Sequence, residues 1–427
     1  MAVCLTVGQA VQYCGSVSRN TGQGDEAGGH GPLVGLRVVE LGTLIAGPFA
    51  GRMFADFGAE VIKIEQPDRG DPLRRWGLSW GGTESLWHLV QSRGKLSVTA
   101  DLHDPDDQDF VRLLALQADV VIENFRPGRL EEWNLDPDEL IAQNPGLVVV
   151  RISGYGQTGP MSGQPAFGTI AEATGGLRFI TGEADRPPTR VGLSLGDSVA
   201  ALYAVIGALV ALHERADSGR GQIVDVALTE AVLALTEGIL PEYSYHGVVR
   251  ERTGNIAHNS APTNVYPCAD GAMVCIAANT TNLFRNLFRA LGRDEYADDP
   301  SLEANEGRVA RGAELDSIIA GWTSTRTSDE VIQTLREESV PVARINTVAD
   351  IVADPQFRAR GAIVEVEDTR LDRPLLVPGI VPRLSRTPGA VPALGQRLGE
   401  ATEEVRRRLG ESAGVVSHQS GGEHGPG

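Results

Sequence analysis

An aspartate stands directly before a long apolar segment of the chain. Asp197 lies in residues 193–198 (LSLGDS), and the apolar run 199–212 follows it. If this run is a helix, its N-terminus keeps a carboxylate ionised and brings backbone amides close to it. That position suits a carboxylate nucleophile. It also suits an aspartate that only caps the helix, which is the commoner use of Asp.

Two loops supply groups that can bind a ligand. Residues 123–128 (ENFRPG) and 153–160 (SGYGQTGP) each follow a predicted strand. Ligands of open α/β sheets bind at the carboxyl ends of the strands. The first loop offers an amide, an aromatic face and a cation for phosphate. The glycines of the second loop let the backbone approach a ligand closely. Each loop taken singly is more often a turn than a site.

Other motifs that bind nucleotides, metals or acyl groups are missing from the sequence. The turn at 40–48 (ELGTLIAGP) lacks the G-x-G-x-x-G spacing, and Pro48 removes an amide donor. The sequence has no phosphate-binding P-loop and no G-x-S-x-G elbow. Its eight histidines show no spacing typical of metal ligands. We therefore expect no bound metal and no dinucleotide cofactor.

The elements that must position these groups alternate along the first 155 residues. Strands are predicted at 36–41, 60–65, 96–100, 119–123 and 147–152, and helices at 48–57, 105–116 and 137–143. Repeated βαβ units predict a parallel sheet with helices on both faces. A long helix is expected at 197–215, a hairpin at 265–278 and a closing helix at 401–409.

The predicted fold class is α/β, with a Rossmann-like large domain and a smaller α+β domain. The predicted order is a disordered lead-in, the large domain, linker helices with the small domain, a return segment completing the large domain, and a disordered tail. The corresponding bounds are 1–32, 33–228, 229–348, 349–410 and 411–427.

Composition excludes several classes of protein. The chain has 427 residues and a net charge of −18, whereas a nucleic-acid binder usually carries a basic surface. Residues 1–32 lack the basic and apolar regions of a secretory signal, and no run approaches the length of a membrane span. The four cysteines form no disulfide or metal pattern. We expect a cytoplasmic protein that binds neither membrane nor nucleic acid.

Taken in order, these segments resemble the class III CoA-transferases, the family that includes formyl-CoA transferase. The resemblance extends from about residue 33 to 400. The matching segments are RVVEL with AGPF, GAEVIKIEQPDRGDPLR at 58–74, KLSVTADL at 95–102, DVVIENFRPG at 119–128, ISGYGQTGP at 152–160, GDS at 196–198, GRGQ at 219–222 and DPQFRARG at 354–361.

The resemblance implies a nucleophile, a CoA site and a quaternary structure. It makes Asp197 the nucleophile, with coenzyme A or acyl-CoA as substrate rather than as a tightly bound cofactor. The implied dimer is a homodimer whose two chains are interlocked. The residues that it assigns to CoA binding are Leu102, Asn124, Phe125, Arg126 and Tyr155.

Several positions depart from relatives within this family. Ile45 replaces a glutamine, and Glu132 replaces a basic residue in the CoA grip. Residues 252–264 contain only Gly254 in place of a run of glycines, which argues against formate and oxalate as substrates. Related 2-methylacyl-CoA racemases pair the aspartate with a histidine where this chain has Phe167. Racemase or epimerase activity remains an alternative, as does a non-catalytic CoA-binding protein.

We expect a CoA-transferase that works through an aspartyl-CoA thioester, with Gly196 among the candidate amides for the oxyanion. The segment GTESLW at 82–87 is similar to dicarboxyl-CoA transferases and indicates a succinyl donor and a dicarboxylic acid acceptor. Arg74, Trp76, Trp80 and Trp87 are candidates for the lining of an acyl pocket, although buried tryptophans more often only pack.

Overall fold

A computed structural model describes residues 31–82 and 84–419, so most of the predicted lead-in lies outside the described residues. The strands are Arg37–Glu40 (β1), Glu60–Glu65 (β2), Ser79–Trp80 (β3), Glu84–Ser85 (β4), Lys95–Thr99 (β5), Val120–Glu123 (β6), Val148–Ser153 (β7), Ile223–Ala227 (β8), Thr263–Pro267 (β9), Met273–Ala277 (β10), Val342–Arg344 (β11), Ile363–Val366 (β12) and Leu375–Pro378 (β13).

The helices are Ala46–Asp56 (α1), Leu86–Gln91 (α2), Pro105–Leu116 (α3), Arg129–Glu132 (α4), Pro137–Gln143 (α5), Gly168–Thr174 (α6), Leu195–Ser218 (α7), Leu228–Leu233 (α8), Ile239–His246 (α9), Thr281–Ala290 (α10), Asp294–Ala297 (α11), Asn305–Ala310 (α12), Gly312–Thr323 (α13), Ser328–Glu337 (α14), Val348–Ala353 (α15), Pro355–Ala359 (α16) and Thr402–Gln419 (α17). Short 3-10 helices occupy Pro72–Arg75 and Pro300–Leu302.

A six-stranded parallel sheet organises the large domain. Its strand order is β5-β2-β1-β6-β7-β8, and all five pairings are parallel. Strands such as VVIE (β6) and VVVRIS (β7) are buried along their whole length, as expected for strands covered by helices on both faces. The predicted α/β class and its parallel sheet are confirmed.

Two hydrophobic cores lie on opposite faces of this sheet. On one face, alternate strand residues such as Val38 and Val120 pack against α1, α6, α7 and α8. On the other face, neighbours such as Val39 and Val121 pack against α3, α5 and α17. The strand order reverses between β1 and β6, which is where open α/β sheets bind ligands.

Helix α7 has two different faces. Its small residues, among them Ala200, Ala204 and Ala208, are buried against the sheet. Its large residues Ile206 and Val210 point outward and are more than half exposed. By length and composition α7 qualifies as a membrane span. The expectation that no run approaches that length was therefore wrong, because the helix adds residues 195–198 to the apolar run 199–212.

The second, smaller domain is built on an antiparallel sheet of order β11-β10-β9. Its core contains Phe284, Leu287 and Leu335 from the helices that surround this sheet. Near the end of the chain, α17 returns to the large domain, where Val405 joins the core next to α3. The helix continues to Gln419, beyond the predicted end at residue 409 and into the segment 411–427 that was predicted to be a disordered tail.

Candidate active site

The first turn of α7 carries Asp197. This helix ends where the Arg215 guanidinium donates to the Gly146 carbonyl at 3.0 Å, near the start of β7. A 24-residue helix is about 36 Å long, whereas the six residues of β7 span about 20 Å. The start of α7 therefore lies beyond the carboxyl end of the sheet, on the side where the loops after β1, β6 and β7 emerge.

Asp197 does not cap its own helix. The residue at the N-cap is Ser194, which makes no side-chain capping bond, and Asp197 is the third residue inside α7. Its carboxylate instead accepts a hydrogen bond from the backbone N–H of Gly168, the first residue of α6. The capping interpretation is therefore wrong, and the side chain is held by another helix.

Two glycines allow the starts of α6 and α7 to meet. A Cβ atom on Gly168 would lie 2.2 Å from Oδ2 of Asp197, and one on Gly196 would lie 2.8 Å from the Gly168 carbonyl oxygen. Real Cβ atoms essentially never approach other atoms so closely. Any side chain at Gly168 would occupy the space of the Asp197 carboxylate.

The surroundings of Asp197 make its carboxylate more basic than usual. Burial and, to a smaller extent, the charge of Glu172 raise its pKa, the Gly168 N–H lowers it, and together they place the pKa at about 6. At pH 7 a group with this pKa is still ionised by about ten to one. A partly desolvated carboxylate of raised basicity is suited to nucleophilic attack.

Glu172 is a site residue that the sequence did not reveal. It is 1 % exposed, and its Oε1 accepts a hydrogen bond from the Gly196 N–H at 3.3 Å. Gly196 was expected to offer its amide to an oxyanion, but in the structure that amide is already engaged. No local pattern marks Glu172, because it reaches Asp197 only through the packing of α6 on α7.

Asn124 joins the two loops at the point where the strand order reverses. Its Oδ1 accepts from the Thr43 N–H at 2.8 Å, and its Nδ2 donates to the Thr43 carbonyl at 2.9 Å. Both ends of the amide are thus used to fix the loop after β1 to the loop after β6. In this arrangement Asn124 fixes the backbones of the two loops to each other.

A buried group of charges supports the same loop from below. The Lys63 ammonium donates to the Gly42 carbonyl at 2.9 Å and pairs with Glu40 at 2.8 Å. Lys95 pairs with the other oxygen of Glu40 at 2.7 Å. These are the only two lysines of the chain, and both are buried. Both ammonium groups are therefore engaged inside the protein.

Leu102 and Phe125 pack on the same core, on the side of the sheet that carries α3. The Phe125 ring meets Trp133 edge to face at a centroid distance of 4.9 Å, and His103 meets the same indole at 5.9 Å. Trp133 and His103 were not among the predicted site residues. Neither belongs to a sequence motif that would have indicated its contact with the loop.

The exposed charges of this region lie on α4 and the turn before it. Arg126 is exposed, and Arg129 pairs with Glu132 at 2.5 Å. Glu132, which stands where relatives carry a basic residue, therefore forms an ion pair with Arg129.

Tyr155 lies on the loop after β7 and is half-buried. The next residue, Gly156, has a φ of +84°, which favours glycine. The Gln157 N–H donates to Oδ2 of Asp225 in β8 at 2.9 Å, so the loop is fixed to the neighbouring strand. The five residues predicted to bind CoA thus all follow strands of the main sheet: Leu102, Asn124, Phe125, Arg126 and Tyr155. Their contact with CoA stays a prediction.

The candidate acyl-pocket residues have different surroundings. Arg74 is buried and pairs with Glu65 at 2.7 Å and with Glu84. Its guanidinium is therefore committed to the protein and does not face a substrate. Trp76 and Trp87 are 46 % and 41 % exposed, with ring centroids 6.5 Å apart.

Comparison with known proteins identifies the family. The model of CoA-transferase family III matches residues 33–402. The chain belongs to this family. It is 50 % identical over 374 residues to the succinyl-CoA–D-citramalate CoA-transferase of Chloroflexus aurantiacus. This match covers 88 % of this chain and 93 % of the relative. It is 35 % identical to the succinate–glutarate CoA-transferase of Agrobacterium fabrum, over 88 % of this chain and 96 % of that one.

Solved structures agree. A CaiB/BaiF family protein from Brucella suis superimposes with a TM-score of 0.79 at 34 % identity, covering 89 % of this chain and all of that one. The protein is a CoA-transferase, and the names of the relatives from Chloroflexus aurantiacus and Agrobacterium fabrum state succinyl-CoA or succinate together with a dicarboxylic acid.

In this transferase the residue before Gly168 is Phe167, at the N-cap of α6. It is 66 % exposed, so its ring stands at the surface beside the helix start that holds Asp197. A phenyl ring carries no exchangeable proton, so Phe167 cannot act as the second base that a racemase needs.

Proposed function

We propose that this transferase moves CoA from succinyl-CoA to a dicarboxylic acid through a thioester on Asp197. The observation that carries this proposal is the placement of Asp197, a partly buried carboxylate that the Gly168 N–H holds at the start of α7. The names of the relatives support the choice of donor and acceptor classes.

The proposed reaction exchanges one acyl bond for another. An Asp197 oxygen attacks the thioester carbonyl carbon. The C–S bond breaks, CoA leaves as a thiolate, and a mixed anhydride between Asp197 and the succinyl group remains. The thiolate attacks the Asp197 carbonyl carbon, which forms the aspartyl-CoA thioester and releases succinate. The acceptor carboxylate then attacks this thioester and again displaces CoA thiolate. The thiolate finally attacks the acceptor acyl carbon, which frees Asp197 and completes the new thioester without net proton transfer.

Each step depends on placing charged groups rather than on acid–base catalysis. Asp197 is ionised at neutral pH because its pKa is about 6. The N-terminus of α7 favours the negative charge that develops in its first turn. One well-placed hydrogen-bond donor to an oxyanion lowers the activation barrier by roughly 3 kcal/mol. CoA must be held beside Asp197 through all four steps, and we assign this task to the loops that contain Asn124 and Tyr155.

The decisive experiment is Asp197→Ala. Exchange of CoA between succinyl-CoA and dicarboxylic acids, followed by mass spectrometry, should fall to background, while acyl-CoA binding by calorimetry persists. Hydroxylamine added during turnover should leave a hydroxamate on Asp197 of the wild-type enzyme. Asp185→Ala, in the exposed loop before α7, serves as the control and should exchange normally. Turnover by Asp197→Ala, or deuterium entering the α-carbon of a branched acyl-CoA, would contradict the proposal.

We also propose that the enzyme is an interlocked homodimer. The support is an apolar surface on α7 and α9, where Ile206, Val210, Leu240 and Tyr243 are each more than half exposed. Helix α9 has no buried residue at all. Light scattering should give twice the mass of one chain, and a monomeric mass would contradict this part. We further place the enzyme in the cytoplasm, with CoA as substrate only and with no metal, membrane or nucleic-acid partner.

A further inference from the structure

A second carboxylate lies where α6 meets α7. Glu172 follows Gly168 by one helical turn in α6, so both residues face the start of α7. Gly168 holds the Asp197 carboxylate, and Glu172 holds the preceding peptide through the Gly196 N–H. The N-cap Ser194 provides no such bond, so Glu172 satisfies an amide that the α7 sequence leaves without a capping partner.

The far side of Glu172 is neutralised incompletely. Arg178 approaches its Oε2 only to 3.5 Å, while the same guanidinium nitrogen also donates to the Thr169 hydroxyl. The Arg178 backbone N–H donates to the Glu172 carbonyl at 3.1 Å. Arg178 therefore contacts the Glu172 oxygen that does not bind Gly196, at a long distance, and the negative charge of Glu172 still acts on Asp197.

We propose that Glu172 is a positioning residue that fixes the first turn of α7 and sets the basicity of Asp197. This inference rests on the proposed function, because it assumes that Asp197 is the nucleophile. The charge and the hydrogen bond of Glu172 have different effects on Asp197. The hydrogen bond to Gly196 fixes the place of the nucleophile. The charge disfavours ionisation of Asp197 and makes its carboxylate a stronger base, in keeping with the raised pKa of Asp197.

Two variants separate these roles. Glu172→Gln keeps an acceptor for Gly196 but removes the charge. The pKa of Asp197 should then fall, so the acid limb of the kcat/KM profile should move to lower pH by about half a unit or more. Glu172→Asp keeps the charge but withdraws the carboxylate by one methylene. Its acid limb should stay near that of the wild type, while kcat falls about tenfold or more because the nucleophile is less well placed.

Glu230→Gln is the matched control. Glu230 is exposed on α8, a helix that packs near α6 and α7, and the substitution removes the same charge. Its pH profile should match that of the wild type. Thermal unfolding followed by circular dichroism will test whether each variant is folded. If Glu172→Gln does not fold, the test rests on the loss of kcat in Glu172→Asp.

A second readout does not require turnover. Carbodiimide with an added amine modifies protonated carboxyl groups, so the pH dependence of Asp197 modification in the resting enzyme reports its protonation by peptide mass spectrometry. Glu172→Gln should shift this curve to lower pH. If the wild type exchanges CoA and Asp197→Ala does not, but Glu172→Gln titrates like the wild type in both assays, the inference fails and the proposed function stands. If the wild type does not exchange CoA at all, the proposed function fails, and the modification curves still test the charge effect.

Discussion

Gly168→Ala should inactivate the transferase without unfolding it. The added methyl carbon would lie 2.2 Å from Oδ2 and 2.7 Å from Cγ of Asp197, whereas ordinary contacts begin at 3.4 Å. The Asp197 carboxylate must therefore withdraw by about 1 Å, because Gly168 itself is fixed in the first turn of α6. A displacement of about 1 Å in a reacting group costs about a hundredfold in rate, which is about 2.7 kcal/mol in the barrier.

The assay compares CoA exchange in Gly168→Ala with that in Gly163→Ala. Gly163 lies in the same connection between β7 and α6, and a Cβ atom there meets nothing within 4 Å. We expect the Gly168 variant to lose kcat about a hundredfold, to bind acyl-CoA normally and to unfold within a few degrees of the wild type. The Gly163 variant should keep its activity. A Gly168 variant with more than half of the wild-type kcat would refute both the contact and the role of Asp197.

Three further outcomes follow from the same geometry. Asn124→Ala removes both bonds to Thr43, so KM for acyl-CoA should rise about tenfold, with a smaller change in kcat; an unchanged KM would contradict the role given to the loop. Arg74→Met removes the ion pair of buried Glu65 and leaves this carboxylate the hydrogen bonds from the Ser97 hydroxyl and the Asp71 N–H; urea unfolding should show a loss of about 3 to 5 kcal/mol, whereas a loss below about 1 kcal/mol would mean that these bonds and the charge of Lys63 are sufficient. In the wild type, kcat/KM should decline as pH falls below about 6, because Asp197 then becomes protonated; a profile that stays flat down to pH 5 would count against Asp197 as the ionised nucleophile.

The large domain was largely predictable because its strands are local signals. Runs such as 119–123 and 147–152 are apolar and short, helices with a proline near the start lie between them, and the observed β6 and β7 agree within a residue or two. Family III membership followed from several motifs in order, and the match over residues 33–402 confirms it. The position of Asp197 at the start of a long helix was also correct.

The partners of these residues were not predictable, because they come from distant segments. Glu172 and Asp197 have no common motif, and the two contacts of Asn124 with Thr43 join loops that are 81 positions apart. The burial of both lysines against Glu40 was hidden for the same reason. The sequence KLSVT of β5 does not indicate on which face of the sheet Lys95 lies. Lys95 is buried because α1 covers it, and its ammonium donates to the Pro48 carbonyl of that helix.

The value of about 6 for the pKa of Asp197 reflects opposing effects that the fold applies to one carboxylate. Burial and the charge of Glu172 raise the pKa, and the Gly168 N–H lowers it. Without the hydrogen bond the pKa would be higher, and a larger fraction of the carboxyl group would be protonated at neutral pH and unable to attack a thioester. With the hydrogen bond alone it would be ionised but weakly basic, and a weakly basic carboxylate forms the mixed anhydride slowly. The two helix starts supply both effects at once, because α6 carries the donor at Gly168 and the charge at Glu172 one turn later. A change that moves α6 relative to α7 therefore alters the position and the basicity of the nucleophile together, and the loss of activity should exceed what either effect would produce alone.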